Sequence, residues 1–167
     1  MSNEENPEMY QQLFSAPVYD VGEEQDISSF CLSDKPAKQT RLLVLLKDEK
    51  NEKAQAADLE MLNKIADFKD YHLKREEVQV VNLAFQSPTF LELAKKFSSP
   101  NILAFGIDPA EIDLQLESHP TQLLRFRGVN FVFSLSLQQM TKDDKLKNQF
   151  FREALKPMFL STNPANL

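Results

Sequence analysis

Two adjacent carboxylates, Asp48 and Glu49, are the first residues in this chain whose types could do chemistry, as a general acid/base pair. They lie in the mixed-charge run KDEKNEK and have no companion histidine, which is the composition of a solvated loop. His119-Pro120 is a second candidate, but the dipeptide by itself forms turns. The only other histidine is His72, and the only cysteine is Cys31. These numbers argue against a histidine-rich metal site, a multi-cysteine zinc or iron–sulfur site and an internal disulfide. Three glycines, Gly22, Gly106 and Gly128, are too few for a Rossmann or P-loop phosphate cradle. No metal and no cofactor are expected.

The elements that would position these groups follow from hydrophobic periodicity. LLVLL at 42–46 is a continuous apolar run, as in a strand buried on both faces. VQVVNL at 78–83, NILAFG at 101–106 and NFVFSLS at 130–136 read as three more core strands, with LLRFRG at 123–128 before the last. Residues 54–68 read as a helix with Ala57, Met61, Leu62, Ile65 and Phe68 on one face. Ser87-Pro88 is expected to start a second helix through Phe97, and Ser99-Pro100 to stop it. Asp108, with Glu111 three residues on, caps a short helix, and Thr141 with Asp144 is expected to cap another running to about Met158. Strands alternating with helices predict an α/β fold: a three-layer α/β/α sandwich around a mainly parallel, four-stranded central sheet.

Charge is distributed unevenly. The net charge is −6, and residues 1–40 already hold eight acids against two bases. The remainder is therefore neutral, a poor surface for non-specific DNA binding. Residues 1–40 read as an acidic, partly extended arm, 41–160 as the α/β domain and 161–167 as a tail. Within the arm, Met9/Tyr10 and Leu13/Phe14 stand four apart, on one face of a short helix, and Val18 and Tyr19 follow. Such a face either packs back on its own domain or docks in a partner's groove. The stretch 121–167 carries a net +4, and Arg125, Arg127, Lys142 and Lys145 could meet phosphates or an acidic partner, or form the wet face of a helix. The acidic start MSNEENPEMY is unlike a signal peptide and no apolar run approaches a membrane span, so a cytoplasmic protein without membrane contact is expected.

The order of these pieces resembles the uracil-DNA glycosylase superfamily. LLVLLKDEKN, the helix with LEMLNKIADF and then LKREEVQVVNLAF resemble its first strand and loop, its helix with a leucine pair and its L-x-R-E-x-V-x-x-x-N strand. PNILAFG resembles the third strand, LLRFRG the L-R-G turn, and FVFSLSLQQMTKDDKLKNQFFREAL the final strand, His-Pro-Ser loop and helix. The resemblance covers roughly residues 41–158. It implies a parallel sheet with strand 78–83 beside 42–46, then 101–106, then 130–134.

The departures fall on the chemistry. The loop that would activate water reads Lys47-Asp48-Glu49-Lys50-Asn51, short and without glycine. Ser134 stands where the family has the histidine that stabilises the leaving uracil anion. Serine supplies no cation, and electrostatic stabilisation is usually the largest catalytic term. Asn82 matches the asparagine that reads the pyrimidine edge, although an asparagine ending a strand also serves in turns.

A catalytically degenerate domain of this kind behind an N-terminal arm resembles the psi family of bacterial DNA polymerase III subunits. That resemblance implies a non-enzymatic interaction module in a clamp-loader or repair assembly. Its degenerate positions would be Lys47, Asp48, Asn82 and Ser134. Its arm contacts would be Tyr10, Leu13, Phe14, Val18 and Tyr19, and its partner a clamp-loader or chi-like subunit. Two alternatives stand beside it: a divergent DNA glycosylase with Asp48 as water activator and Asn82 as base reader, and an unrelated α/β domain holding a small ligand at its strand ends.

Overall fold

In the computed structural model, which describes residues 27–51 and 53–160, the run Leu42–Leu46 becomes the central strand β2. The protein is α/β, built on one mixed sheet of six strands. Before β2 stands the two-residue β1 (Phe30–Cys31). After it come β3 (Val78–Asn82), β4 (Asn101–Phe105), β5 (Leu123–Phe126) and β6 (Val129–Ser134). The order is β1-β3-β2-β4-β6-β5. β3, β2, β4 and β6 run parallel, while β1 and β5 close the two edges antiparallel. The expected sheet of four strands is thus corrected to six. The two added strands are short edge strands, one of two residues and one of four, too brief to show an apolar pattern of their own.

Side chains alternate to the two faces because the strand period is two. Leu42, Val44 and Leu46 of β2 enter one apolar cluster, and Leu43 and Leu45 enter the other. The first cluster is covered by α1 (Ala56–Asp67), α3 (Leu137–Thr141), α4 (Asp144–Phe150) and α5 (Lys156–Leu160). The second is covered by α2 (Phe90–Phe97) and the 3₁₀ turn Pro109–Ile112. No helix among the described residues is long and apolar enough to cross a membrane.

Three boundaries differ from the sequence reading. α2 is capped by Thr89 rather than Ser87, because Glu92 stands three residues on: the Glu92 N–H donates to Thr89 Oγ1, and the Thr89 N–H donates to Glu92 Oε2. Thr141 caps nothing; it ends α3, which Ser136 and Gln139 cap, and α4 starts instead at Asp143, whose carboxylate accepts the N–H groups of Lys145 and Leu146. The helix to Met158 is also broken by a π-helical turn over Phe151–Leu155. Pro157 explains that turn: it has no N–H and its ring would strike the carbonyl four residues back. The helix widens, and the Lys156 N–H reaches the Phe151 carbonyl.

The packed chain also starts earlier than residue 41. Ile27 is buried in the second cluster, and its carbonyl accepts from Lys96 Nζ. Ser28 and Gln86 exchange two hydrogen bonds, and β1 pairs with β3. Residues 27–40, assigned to the arm by composition, therefore include an edge strand of the domain. Residues 1–26 and 161–167 lie outside the described residues, and with them the arm positions Tyr10, Leu13, Phe14, Val18 and Tyr19.

Candidate functional site

The parallel strands β2, β3 and β6 deliver four sequence-selected residues to one end of the sheet. Lys47 and Asp48 follow β2, while Asn82 and Ser134 end β3 and β6. In open α/β sheets this carboxyl end is where ligands bind.

Asn82 and Asp48 are locked to each other. The Asp48 N–H donates to Asn82 Oδ1 at 3.0 Å, and Asn82 Nδ2 donates to the carbonyls of Asp48 and Asn51, each at 2.9 Å. The Ala84 N–H also donates to Asn82 Oδ1. The Asp48 carboxylate folds back on its own loop. Its Oδ1 accepts the N–H groups of Lys50 and Asn51 at 3.0 Å, and both its oxygens lie within 3.2 Å of Asn51 Nδ2. Asp48 is buried, as is Asn82. Side-chain oxygens thus tie down a short loop that has no glycine, by the turn chemistry common to Asp and Asn.

Lys47 reaches across the strand ends to form an ion pair with Glu111, the residue that also caps the turn at Pro109. Burial works against the charge of Glu111. The Lys47 hydrogen bond, the Asp108 N–H and the Lys47 charge outweigh it and hold the carboxyl below its usual range. This pair borders a cavity of about 210 Å³ with Leu83, Gln86 and Ser87. Small-molecule pockets usually measure roughly 300–1,000 Å³. Ser134 is buried and turns its hydroxyl to Met140 Sδ at 3.6 Å. Beside it, Gly106 at φ +68° donates its N–H to the Ser134 carbonyl. A Cβ on Gly106 would stand 3.0 Å from Ser136 Cβ, so the β4 end and the Ser136 loop meet only at glycine.

A second carboxylate, not anticipated from the sequence, lies close by. Asp58, in the first turn of α1, is only 2% exposed, and its Oδ2 accepts from Gln138 Nε2 at 2.7 Å. Burial first, then the charge of Asp48, pushes the Asp58 carboxyl above its usual value, and the Gln138 bond opposes them. A signal was present: Asp58 precedes Met61 and Leu62 by three and four residues, which puts it on the apolar stripe of α1. A buried carboxyl of raised pKa beside a second carboxylate is an arrangement that acid/base chemistry uses. Here one is bound by its own loop and the other by a glutamine of α3. Neither lines the 210 Å³ cavity or the 580 Å³ cavity beside β1, which is bordered by Phe30, Lys53, Asn82 and Phe85.

The remaining candidates are dispersed. Arg125 lies on β5 and Arg127 in the β5–β6 turn, where it and Gly128 both have positive φ, as a two-residue type I′ hairpin requires. Lys142 and Lys145 follow the other end of β6. The two pairs therefore stand on different elements, the β5–β6 hairpin and the α3–α4 segment. His119 lies in an exposed turn closed by the Gln122 N–H to its carbonyl. His72 ends a 3₁₀ turn, and the Cys31 thiol points to the carbonyls of Arg75 and Glu76. Among the described residues no three His, Cys, Asp or Glu side chains are grouped to hold a metal ion. No protein-family model and no curated protein matches the chain.

Proposed function

We propose that this protein is a non-catalytic interaction module of the psi type: a degenerate uracil-DNA glycosylase-like three-layer α/β/α domain that works through protein contacts in a replication or repair assembly. One observation carries the reading. The two residues at the water-activating and base-reading positions, Asp48 and Asn82, direct their side chains into the same loop and donate or accept there. A water activator needs a carboxylate oxygen within hydrogen-bond reach of the attacking water. A base reader needs its amide edge open. Ser134 beside Met140 adds no cation for a leaving anion. The order of the four parallel strands is the one the glycosylase resemblance implies.

On this reading the protein acts in the cytoplasm. Its partner is a clamp-loader or chi-like subunit, its arm is the anchor, and direct DNA contact is weak or missing. Two measurements test it. The purified full chain, mixed with uracil-containing single- and double-stranded DNA, should release no uracil; release that Asp48→Ala abolishes would overturn the reading. Mixed with a purified clamp loader and chi subunit, the chain should co-elute with them in size exclusion. Failure to associate with either would remove the psi assignment and leave only the fold.

A second reading, a small-ligand domain, is favoured by the 580 Å³ cavity beside β1, where the Lys53 ammonium lies 5.9 Å from the Phe30 ring centroid and Phe85 is well exposed. A shift in melting temperature on adding a nucleotide, lost in Lys53→Ala, would support it.

A further inference from the structure

The π-helical turn has a consequence at the surface. By widening the helix it sets Phe151, Arg152 and Lys156 against the end of α1, around a groove of about 510 Å³. The groove has an aromatic side. Phe68 is 44% exposed, and the buried Tyr71 ring packs between Phe68, at 4.6 Å, and Phe159, at 5.0 Å. Lys64, Arg152 and Lys156 line it as cations, with Asp70 as the one acid. Among the described residues, Lys64 and Arg152 pair with exposed Glu60 and Glu153, in surface pairs worth little that a better partner can replace. An aromatic cleft with a cationic rim fits an acidic segment bearing aromatic residues.

The chain supplies such a segment itself. Residues 1–26 contain seven acids (Glu4, Glu5, Glu8, Asp20, Glu23, Glu24 and Asp26) and no lysine or arginine, and they carry Tyr10, Leu13 and Phe14 in one cluster. Phe14 precedes the buried Ile27 by 13 residues. That length spans up to about 45 Å when extended, about three times the radius of gyration of roughly 15 Å expected for a domain of this size. We propose that the groove between α1 and the Phe151–Lys156 turn is the docking site of this chain's own acidic segment around Tyr10–Phe14, held in cis. Charge complementarity and reach carry the proposal, and it does not depend on the psi-like reading. Where the same aromatics anchor a partner, that partner must first displace them from the groove, which makes the groove a competitor for the arm.

The test uses the full chain. An equal mixture of unlabelled and ¹⁵N-labelled protein is treated with a zero-length carbodiimide cross-linker, and the monomer band is mapped by mass spectrometry beside any dimer. The expected products join Glu4, Glu5 or Glu8 to Lys64 or Lys156, in same-isotope pairs. Their yield should fall at least fivefold in Tyr10→Ala/Phe14→Ala, a variant that alters no described residue of the domain. It should also fall in Phe68→Ser, whose side chain is exposed. Mixed-isotope products would overturn the proposal in favour of a second copy of the chain. Links from the C-terminal carboxylate to Lys64 or Lys156 would overturn it in favour of the tail. Arm links spread evenly over all lysines, or yields unchanged in both variants, would overturn it outright.

Discussion

Asn82 and Asp48 hold each other reciprocally across the ends of β3 and β2: the Asp48 N–H donates to Asn82 Oδ1 at 3.0 Å, and Asn82 Nδ2 donates back to the Asp48 carbonyl at 2.9 Å. The amide therefore acts as a splint for the loop after β2. Asn82→Ala should leave the N–H groups of Asp48 and Ala84 and the carbonyls of Asp48 and Asn51 without this partner. The expected loss is about 2–4 kcal/mol, the range for breaking a buried hydrogen-bond network. Asn82→Asp keeps the acceptor but turns a carboxylate oxygen toward two carbonyls, and should cost at least as much at neutral pH. Urea denaturation should show a lower midpoint at unchanged slope. A loss below about 0.5 kcal/mol in both variants would mean that the loop holds itself.

The parts of this fold that were legible in the sequence are those where one physical signal dominates. LLVLL and NILAF could be read as buried strands because residues facing both clusters must be apolar. The Asp108–Glu111 cap was legible because its chemistry is local. β1 was not, since Phe30 and Cys31 sit in a polar stretch and become a strand only by pairing with Gln79 and Val80. The Thr141 cap failed because Asp143, two residues on, offers a carboxylate to the same helix start. At the site, the identities of Asp48, Asn82 and Ser134 were readable. The mutual engagement of Asp48 and Asn82 was not, because it joins residues 34 apart in the chain.

Asp58 gives a pH dependence. Its carboxyl is pushed above its usual value by burial, then by the charge of Asp48, so the folded chain holds this proton more firmly than the unfolded chain does. Stability therefore falls as pH rises from the unfolded value through the raised folded one, and the full cost applies above that window. Asp58→Asn retains an oxygen for Gln138 and carries no charge. The variant should be more stable than the parent at pH 7 by about 1 kcal/mol, with the difference shrinking toward zero below the unfolded carboxylate range. Denaturation midpoints of both proteins between pH 3 and 8 would check this; a pH-independent difference would assign the effect to helix geometry instead.

The two described glycines should respond unequally to alanine. Gly106 and Gly128 both have positive φ, at +68° and +79°, so each substitution meets backbone strain of about 1 kcal/mol. A Cβ on Gly128 meets nothing within 4 Å, whereas one on Gly106 meets the Ser136 backbone and Cβ. Gly106→Ala should add about 1–3 kcal/mol for that overlap. Thermal melts of the two variants should therefore differ by several degrees, Gly106→Ala being lower. Equal melts would mean that the Ser136 loop yields.

Where the arm ends can be found by truncation. Ile27 is 3% exposed, and Ser28 is tied to Gln86, so the contacts of the described residues begin there. Deleting residues 1–22 removes no contact among the described residues, and an arm docked in the surface groove lies outside both apolar clusters, so the melting temperature should stay within about 2 °C of the parent. Deleting residues 1–31 takes away Ile27 and β1 as well. Burial of one isoleucine contributes about 2 kcal/mol, and for a chain of this size each kcal/mol moves the melt by roughly 2–4 °C. The second deletion should thus melt at least 5 °C lower. If the protein is psi-like as proposed, the 1–22 deletion should at the same time lose association with the clamp loader, because aromatic residues dominate interface hot spots and Tyr10, Phe14 and Tyr19 are gone. Calorimetry on the two truncations, read beside co-elution with the clamp loader, separates the roles. A collapsed melt for the shorter deletion would place the arm in the core. Undiminished co-elution would move the interface onto the α/β domain.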